Sequence, residues 1–151
     1  MIGRGARAAL FLGGILAAAA LPLLGRAIRS GGEPRCPFNG VGIDPARAVR
    51  ITGSDGRERT LCCVDCARRW LSREGGTPPR AILVVDEAAG GPVPAGKAWF
   101  VESRVLAFPV CGCRIHAFAR EADARRHAED FGGIVLEGDH RPLRPWEGPD
   151  R

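Results

Sequence analysis

Two stretches of this 151-residue chain superpose without a gap at an offset of 57 residues. "CVDCARRWLSREGG" (63–76) and "READARRHAEDFGG" (120–133) match at Ala67-Arg68-Arg69 with Ala124-Arg125-Arg126, and at Gly75-Gly76 with Gly132-Gly133. Both read as helices. Asp65 and Glu121 stand in the first turns, where negative charge complements the helix dipole. Each Gly-Gly supplies the residue type that adopts a left-handed C-terminal cap. Two strand-like runs precede each helix, 48–53 and 59–63 in the first copy, 98–103 and 114–119 in the second. Asp55-Gly56 is a hairpin signal between the first pair. Another strand candidate follows each helix, "AILVVDE" (81–87) and "GIVLE" (133–137). A chain that repeats β-β-α-β is predicted to be α+β with two similar ββα halves, over about 36–90 and 91–140.

Ahead of this domain, Arg4 and Arg7 precede "AALFLGGILAAAALPLLG" (8–25), an uncharged run of 18 residues closed by Arg26 and Arg29. Its length lies on the border between a signal peptide and a membrane anchor. Arg26 spoils the small-residue cleavage site at Gly25–Ala27, which favours an anchor over residues 1–28, an N-terminal hydrophobic helix. Residues 29–35 form a linker, and the Pro-rich stretch 141–151 reads as a flexible tail. The domain is therefore expected outside the cytoplasm, in the cell envelope facing the periplasm or cell exterior, or secreted if the leader is cleaved.

The formal charge of +5 does not mark a nucleic-acid binder. Residues 1–35 carry five Arg and one Glu, a net +4, which leaves +1 for the remainder. No strip of interleaved aromatic and basic residues is present, so no nucleic-acid partner is expected.

Six cysteines in an extracytoplasmic domain normally mean disulfides. Here Cys62 and Cys63 are adjacent, and only Gly112 separates Cys111 from Cys113. Neighbouring cysteines reach disulfide geometry only with strain, so the spacing suits metal chelation or thiol exchange better. Cys63 and Cys66, or Cys62 and Cys66, share a helix face at a helix start, where backbone N–H groups favour the thiolate. Arg68 and Arg69 are expected to favour it further. Cys111-Gly112-Cys113 brings two sulfurs together in a turn. His116 follows, either as a ligand or as a solvent-facing strand residue, and Cys36 in "CPFNG" is a third location. A four-sulfur zinc site is one solution. A sparser set of two or three thiolates suits Cu(I). Buried, inert cysteines are the bland alternative.

Taken together these residues resemble the nitrous oxide reductase accessory family, the NosL-like copper chaperones. The resemblance rests on "CPFNGV" (36–41), "DGRERTLCC" (55–63), "AILVVDE" (81–87), "AWFVES" (98–103) and "HAFAREADARRHAEDFGGIVL" (116–136). It implies a NosL-like domain over 36–140 with two treble-clef-like halves, a membrane-anchored envelope location, and copper handling for a client metalloenzyme or with a copper donor protein. The family's opening motif is Cys-Pro-x-Cys-Gly-Met. Cys36 matches it, but Asn39 and Val41 occupy the second Cys and the Met positions, so the copper donors have moved. Met1 is the only methionine, which excludes a thioether donor in the domain.

The reading that follows is a non-enzymatic, membrane-tethered Cu(I) carrier, with Cys36, Cys62, Cys63, Cys66, Cys111, Cys113 and His116 as candidate ligands and Zn(II) as the other candidate ion. Thiol–disulfide exchange through Cys63-Val-Asp-Cys66, and a structural zinc domain, are the alternatives. The topology is directly testable. Alkaline-carbonate extraction should leave the chain with the membrane pellet, whereas release of a shortened soluble form would show the leader to be a cleaved signal.

Overall fold

The structure, a computed structural model, describes residues 34–74 and 77–143. The expected N-terminal helix, most of the linker and residues 144–151 lie outside them. Among the described residues no helix is long and apolar enough to cross a membrane.

β1 (Val49–Thr52) and β2 (Glu58–Leu61) form an antiparallel hairpin in the register Val49↔Leu61. The Asp55-Gly56 signal is its turn. Gly56 sits at φ +78, and the Asp55 carboxylate accepts the Arg57 N–H at 3.0 Å. α1 (Val64–Glu74) follows, and β3 (Ala81–Val85) returns along the other side of β1. The second half repeats this path with β5 (Trp99–Glu102), β6 (Ile115–Phe118), α2 (Glu121–Phe131) and β7 (Ile134–Leu136). The sheet orders correspond, β2-β1-β3 in the first half and β6-β5-β7 in the second. The two 11-residue helices fall at the 57-residue offset, so Val64 and Glu121 begin them and Glu74 and Phe131 end them. The described residues thus form a mixed α and β structure of two sheets and two helices.

One strand lies outside the sequence expectation. β4 (Pro92–Pro94) pairs with β3 at Val84↔Val93 and gives the first sheet a fourth strand. A proline cannot donate to a ladder, so "PVP" reads as loop, yet at a sheet edge a proline nitrogen facing solvent costs nothing.

The halves share one core. Val49, Ile51, Leu61 and Val84 from the first pack with Phe100 and Ala117 from the second. The strand period of two then sorts β5: Phe100 faces the shared core, while Val101 faces a smaller cluster with Phe118 and Ala124 under α2. Ala67 and Ala124, equivalent in the repeat, are both fully buried, because a small side chain lets each helix approach its sheet. Past β3, the buried Asp86 carboxylate accepts the Ala119 N–H at 3.2 Å, and the Glu87 N–H donates to Ala117 O at 3.0 Å, tying the halves together.

The expected loose tail does not begin at 141. Arg141 Nη2 donates to the carbonyls of Ala95, Gly96 and Ala98 at 2.8–3.1 Å, and Leu143 is buried in the shared core. Proline-rich sequence signals the lack of regular structure, not the lack of anchors.

α2 ends as expected, with Gly132 left-handed at φ +63 and its N–H on Ala128 O. Gly133 has a different reason to be glycine. A Cβ there would lie 2.7 Å from the Glu102 carbonyl oxygen and 2.9 Å from Ser103 Cβ. Gly133→Ala should therefore cost about 1–3 kcal/mol in urea unfolding, as overpacking does. Gly91→Ala, where a Cβ meets nothing within 4 Å, should stay within about 0.5 kcal/mol. Equal effects would show that the β5–β7 contact yields freely.

Candidate metal centre

Three short segments carry the six cysteines, and the fold brings them to one place. The bend after β2 holds Cys62 and Cys63 ahead of α1, and the first turn of α1 presents Cys66. The turn 108–113 supplies the other pair. Phe108 and Cys113 exchange backbone hydrogen bonds at 3.2 Å, a single 3-10 turn spans Pro109–Cys111, and Gly112 takes the left-handed conformation at φ +66 that reverses the chain. The third segment is the loop after Cys36, closed by Gly40 N–H on Cys36 O and Cys36 N–H on Val41 O, both at 2.8 Å.

The sulfurs of Cys62, Cys63, Cys66 and Cys111 all lie within 4.8 Å of one another. Cys111 Sγ is 3.2 Å from Cys63 Sγ and 3.9 Å from Cys62 Sγ. Three of these donors belong to the first half and one to the second, so the group straddles the shared core. All six thiols are free. The remaining two flank the four: Cys36 hydrogen-bonds with Cys62, and Cys113 with Cys63. Cys111 is half-buried, and the other five are buried.

The expectation that the helix start favours thiolates is overturned for three of these residues. Burial first, then hydrogen bonding with Cys66 and Cys36, pushes the Cys62 thiol up. Hydrogen bonding to Cys113 and burial raise Cys63, and burial pushes Cys66 up to about 11. The dipole at the start of α1 acts against the removal of nearly all solvent, and burial wins. Arg68 and Arg69 give no help either, since both pair with Asp65, at 2.7 and 3.0 Å. Cys113 goes the other way, lowered to about 6, because the Cys63 thiol and backbone groups at Ile115 and Asp65 hydrogen-bond to it and outweigh burial. Burial opposes the Cys36 thiolate too, but backbone hydrogen bonds at Cys62, Phe38 and Asn39 leave its pKa lowered.

Asn39, which the sequence reading treats only as a lost cysteine, touches the centre. Its Nδ2 donates to Cys66 Sγ at 3.3 Å and lies 3.7 Å from Cys62 Sγ. Its Oδ1 accepts the Val41 N–H at 3.2 Å, which orients the amide so that the NH₂ faces sulfur. The signal was present in the position itself: a donor stands where the family places a ligand.

His116 stands apart from the sulfurs and is not solvent-facing. It is only 3% exposed. Its Nδ1 contacts Glu87 Oε2 at 2.9 Å, its Nε2 faces Val105 O at 3.4 Å, and its ring packs on His127 with centroids 4.1 Å apart. His116 pairs with Val101, so the alternation of β6 turns it towards α2 while Ala117 faces the shared core. Closeness to Cys113 in sequence does not survive the pleat. Beside Gly112 and Cys113, an open cleft of about 770 Å³ is lined by Asp65, Arg68, Arg114 and His140 among others.

No family model and no curated protein matches the chain. Among solved structures, the chain is similar to the copper chaperone NosL from Shewanella denitrificans, with 22% identity and a TM-score of 0.60 over 70% of this chain and 87% of that one. At that identity the likeness shows the fold alone, the mixed α and β architecture described above. The site within it is defined by this chain's own six thiols.

The burial pattern makes the thiols distinguishable by reagent. In the reduced, folded chain a bulky maleimide should modify Cys111 first, as read by peptide mass mapping. Modification of Cys62 or Cys66 before Cys111 would contradict the placement of the 108–113 turn over them.

Proposed function

We propose that this protein is a divergent NosL-like copper chaperone: a membrane-tethered Cu(I) carrier of the cell envelope that receives the ion from a donor protein and passes it to a client metalloenzyme. The observation that carries this reading is the group of four sulfurs within 4.8 Å, contributed by both halves of a NosL-like fold. Sulfur-only donor sets select soft ions, Cu(I) foremost.

Charge balance favours Cu(I) over Zn(II). Cys62, Cys63 and Cys66 are all shifted towards the protonated thiol, Cys62 and Cys66 chiefly by burial and Cys63 by its hydrogen bond to Cys113 and then burial. Cu(I) held by two thiolates leaves one uncompensated negative charge in the buried centre. Zn(II) on four thiolates would leave two uncompensated negative charges among buried sulfurs, and burying unpaired charge is costly. The four-sulfur count nevertheless fits the closed tetrahedron of structural zinc, so zinc stapling of the two halves is the second reading. Thiol–disulfide exchange is less favoured, because attack requires a thiolate and both Cys63 and Cys66 are shifted away from it.

Half-exposed Cys111 is the donor that an incoming partner thiol reaches first. Transfer then proceeds by stepwise exchange, with the partner's sulfur joining before Cys111 leaves. Asn39 donates to Cys66 and stabilises developing negative charge on sulfur, in the manner of the outer-shell groups that orient metal ligands.

Competition titration of the reduced full-length protein against a Cu(I) chelator tests the reading. Wild type should hold Cu(I) tightly and prefer it to Zn(II). Cys111→Ser should abolish tight binding, and Asn39→Leu should weaken it by about tenfold, the low end for outer-shell partners. Zn(II) bound in all-sulfur coordination, with no competitive Cu(I) binding, would establish the zinc reading instead.

A further inference from the structure

We infer that the centre is dinuclear, holding two Cu(I) ions side by side with Cys111 as the bridging thiolate. The inference rests on the Cu(I) reading above and adds a capacity that reading does not require.

A single Cu(I) uses two or three sulfurs. This fold collects six, and their contacts form one connected sequence. Cys36 meets Cys62, and Cys62 hydrogen-bonds with Cys66, with Asn39 close to both sulfurs. On the far side Cys63 meets Cys113. Cys111 touches both adjacent cysteines, 3.9 Å from Cys62 and 3.2 Å from Cys63, and Cys66 hydrogen-bonds with both as well. Cys62 and Cys66 with Cys111 therefore make one three-sulfur set, and Cys63 with Cys111, extended by Cys113 through its contact with Cys63, makes a second. Cys36 stands behind the first as a reserve donor.

Sulfur is suited to the shared position, because a thiolate keeps lone pairs for a second metal after binding one. The position of Cys111 on the 108–113 turn matters for the same reason. The turn comes from the other half of the fold and sets Cys111 against both adjacent cysteines, of which Cys62 also meets Cys36 and Cys63 also meets Cys113. Adjacent cysteines, awkward for disulfides, are what a two-ion site needs at its divide.

Each Cu–S bond forms as an S–H bond breaks, and the proton leaves to solvent. No electron is transferred. Sharing Cys111 means that the second ion displaces two thiol protons where the first displaces three. Were the site built for one ion, Cys113 would be a spare buried thiol packed against a ligand.

The test is a count. Reduced full-length protein is titrated anaerobically with Cu(I) supplied from a weak chelator and examined by native mass spectrometry. Wild type should saturate at two copper ions per chain, with the orange luminescence typical of solvent-shielded multinuclear Cu(I)–thiolate centres. Cys113→Ser should bind one ion and lose the emission, and Cys36→Ser should still bind two. Tight binding that stops at one ion in wild type overturns this inference while leaving the carrier reading intact. Failure to bind any Cu(I) against the weak chelator overturns both.

Discussion

The contact on which the rest of the molecule depends is the insertion of the 108–113 turn over the start of α1. It joins the two halves at the point where their sulfurs meet. Without it, Cys62, Cys63 and Cys66 would be a half-site at the end of one helix, and Cys111 a surface thiol. The shared core makes the insertion possible. Ile51, Leu61 and Phe100 bury their side chains completely between the halves, and the Asp86 carboxylate and the Glu87 N–H add hydrogen bonds across them. Each half alone is a small ββαβ unit with little surface to bury. Donors drawn from both halves therefore couple the integrity of the site to the integrity of the fold.

Burial gives the centre its chemical character. Thiols in water at a helix start would lean towards thiolate, reactive and open to oxidation. Removed from water, Cys62, Cys63 and Cys66 keep their protons until a soft cation displaces them. The same burial holds nitrogen donors away. His116 is engaged with Glu87 on the opposite face of β6, leaving an all-sulfur set in which an amide from Asn39 is the polar neighbour. A soft monovalent ion suits such a set better than a hard or divalent one.

Much of the fold was legible from the repeat. The 57-residue offset placed both helices to the residue, because Gly-Gly stops and acidic starts are local signals that act within one turn. The strands were legible to within one or two residues, since alternation and the Asp55-Gly56 turn are also local. β4 was not legible, because its two prolines disguise an edge strand. Nor was the anchoring of Arg141 and Leu143, which depends on carbonyls and a core assembled from distant segments. At the site, the three cysteine-bearing segments were legible as separate locations, and their convergence follows from the packing of the two halves. The direction of the thiol pKa shifts was not, because helix position is written in sequence and solvent exclusion is not. Asn39 shows the same limit from the other side: its position was known, but its hydrogen bond to Cys66 is a property of the folded loop.

The central claim is that sulfur alone, drawn from both halves, holds the ion. X-ray absorption at the copper edge of the Cu(I)-loaded protein measures this directly. The account predicts a first shell of sulfur scatterers only, at low coordination number, with an edge typical of Cu(I). A nitrogen or oxygen shell, as His116 or His140 would contribute, would contradict it.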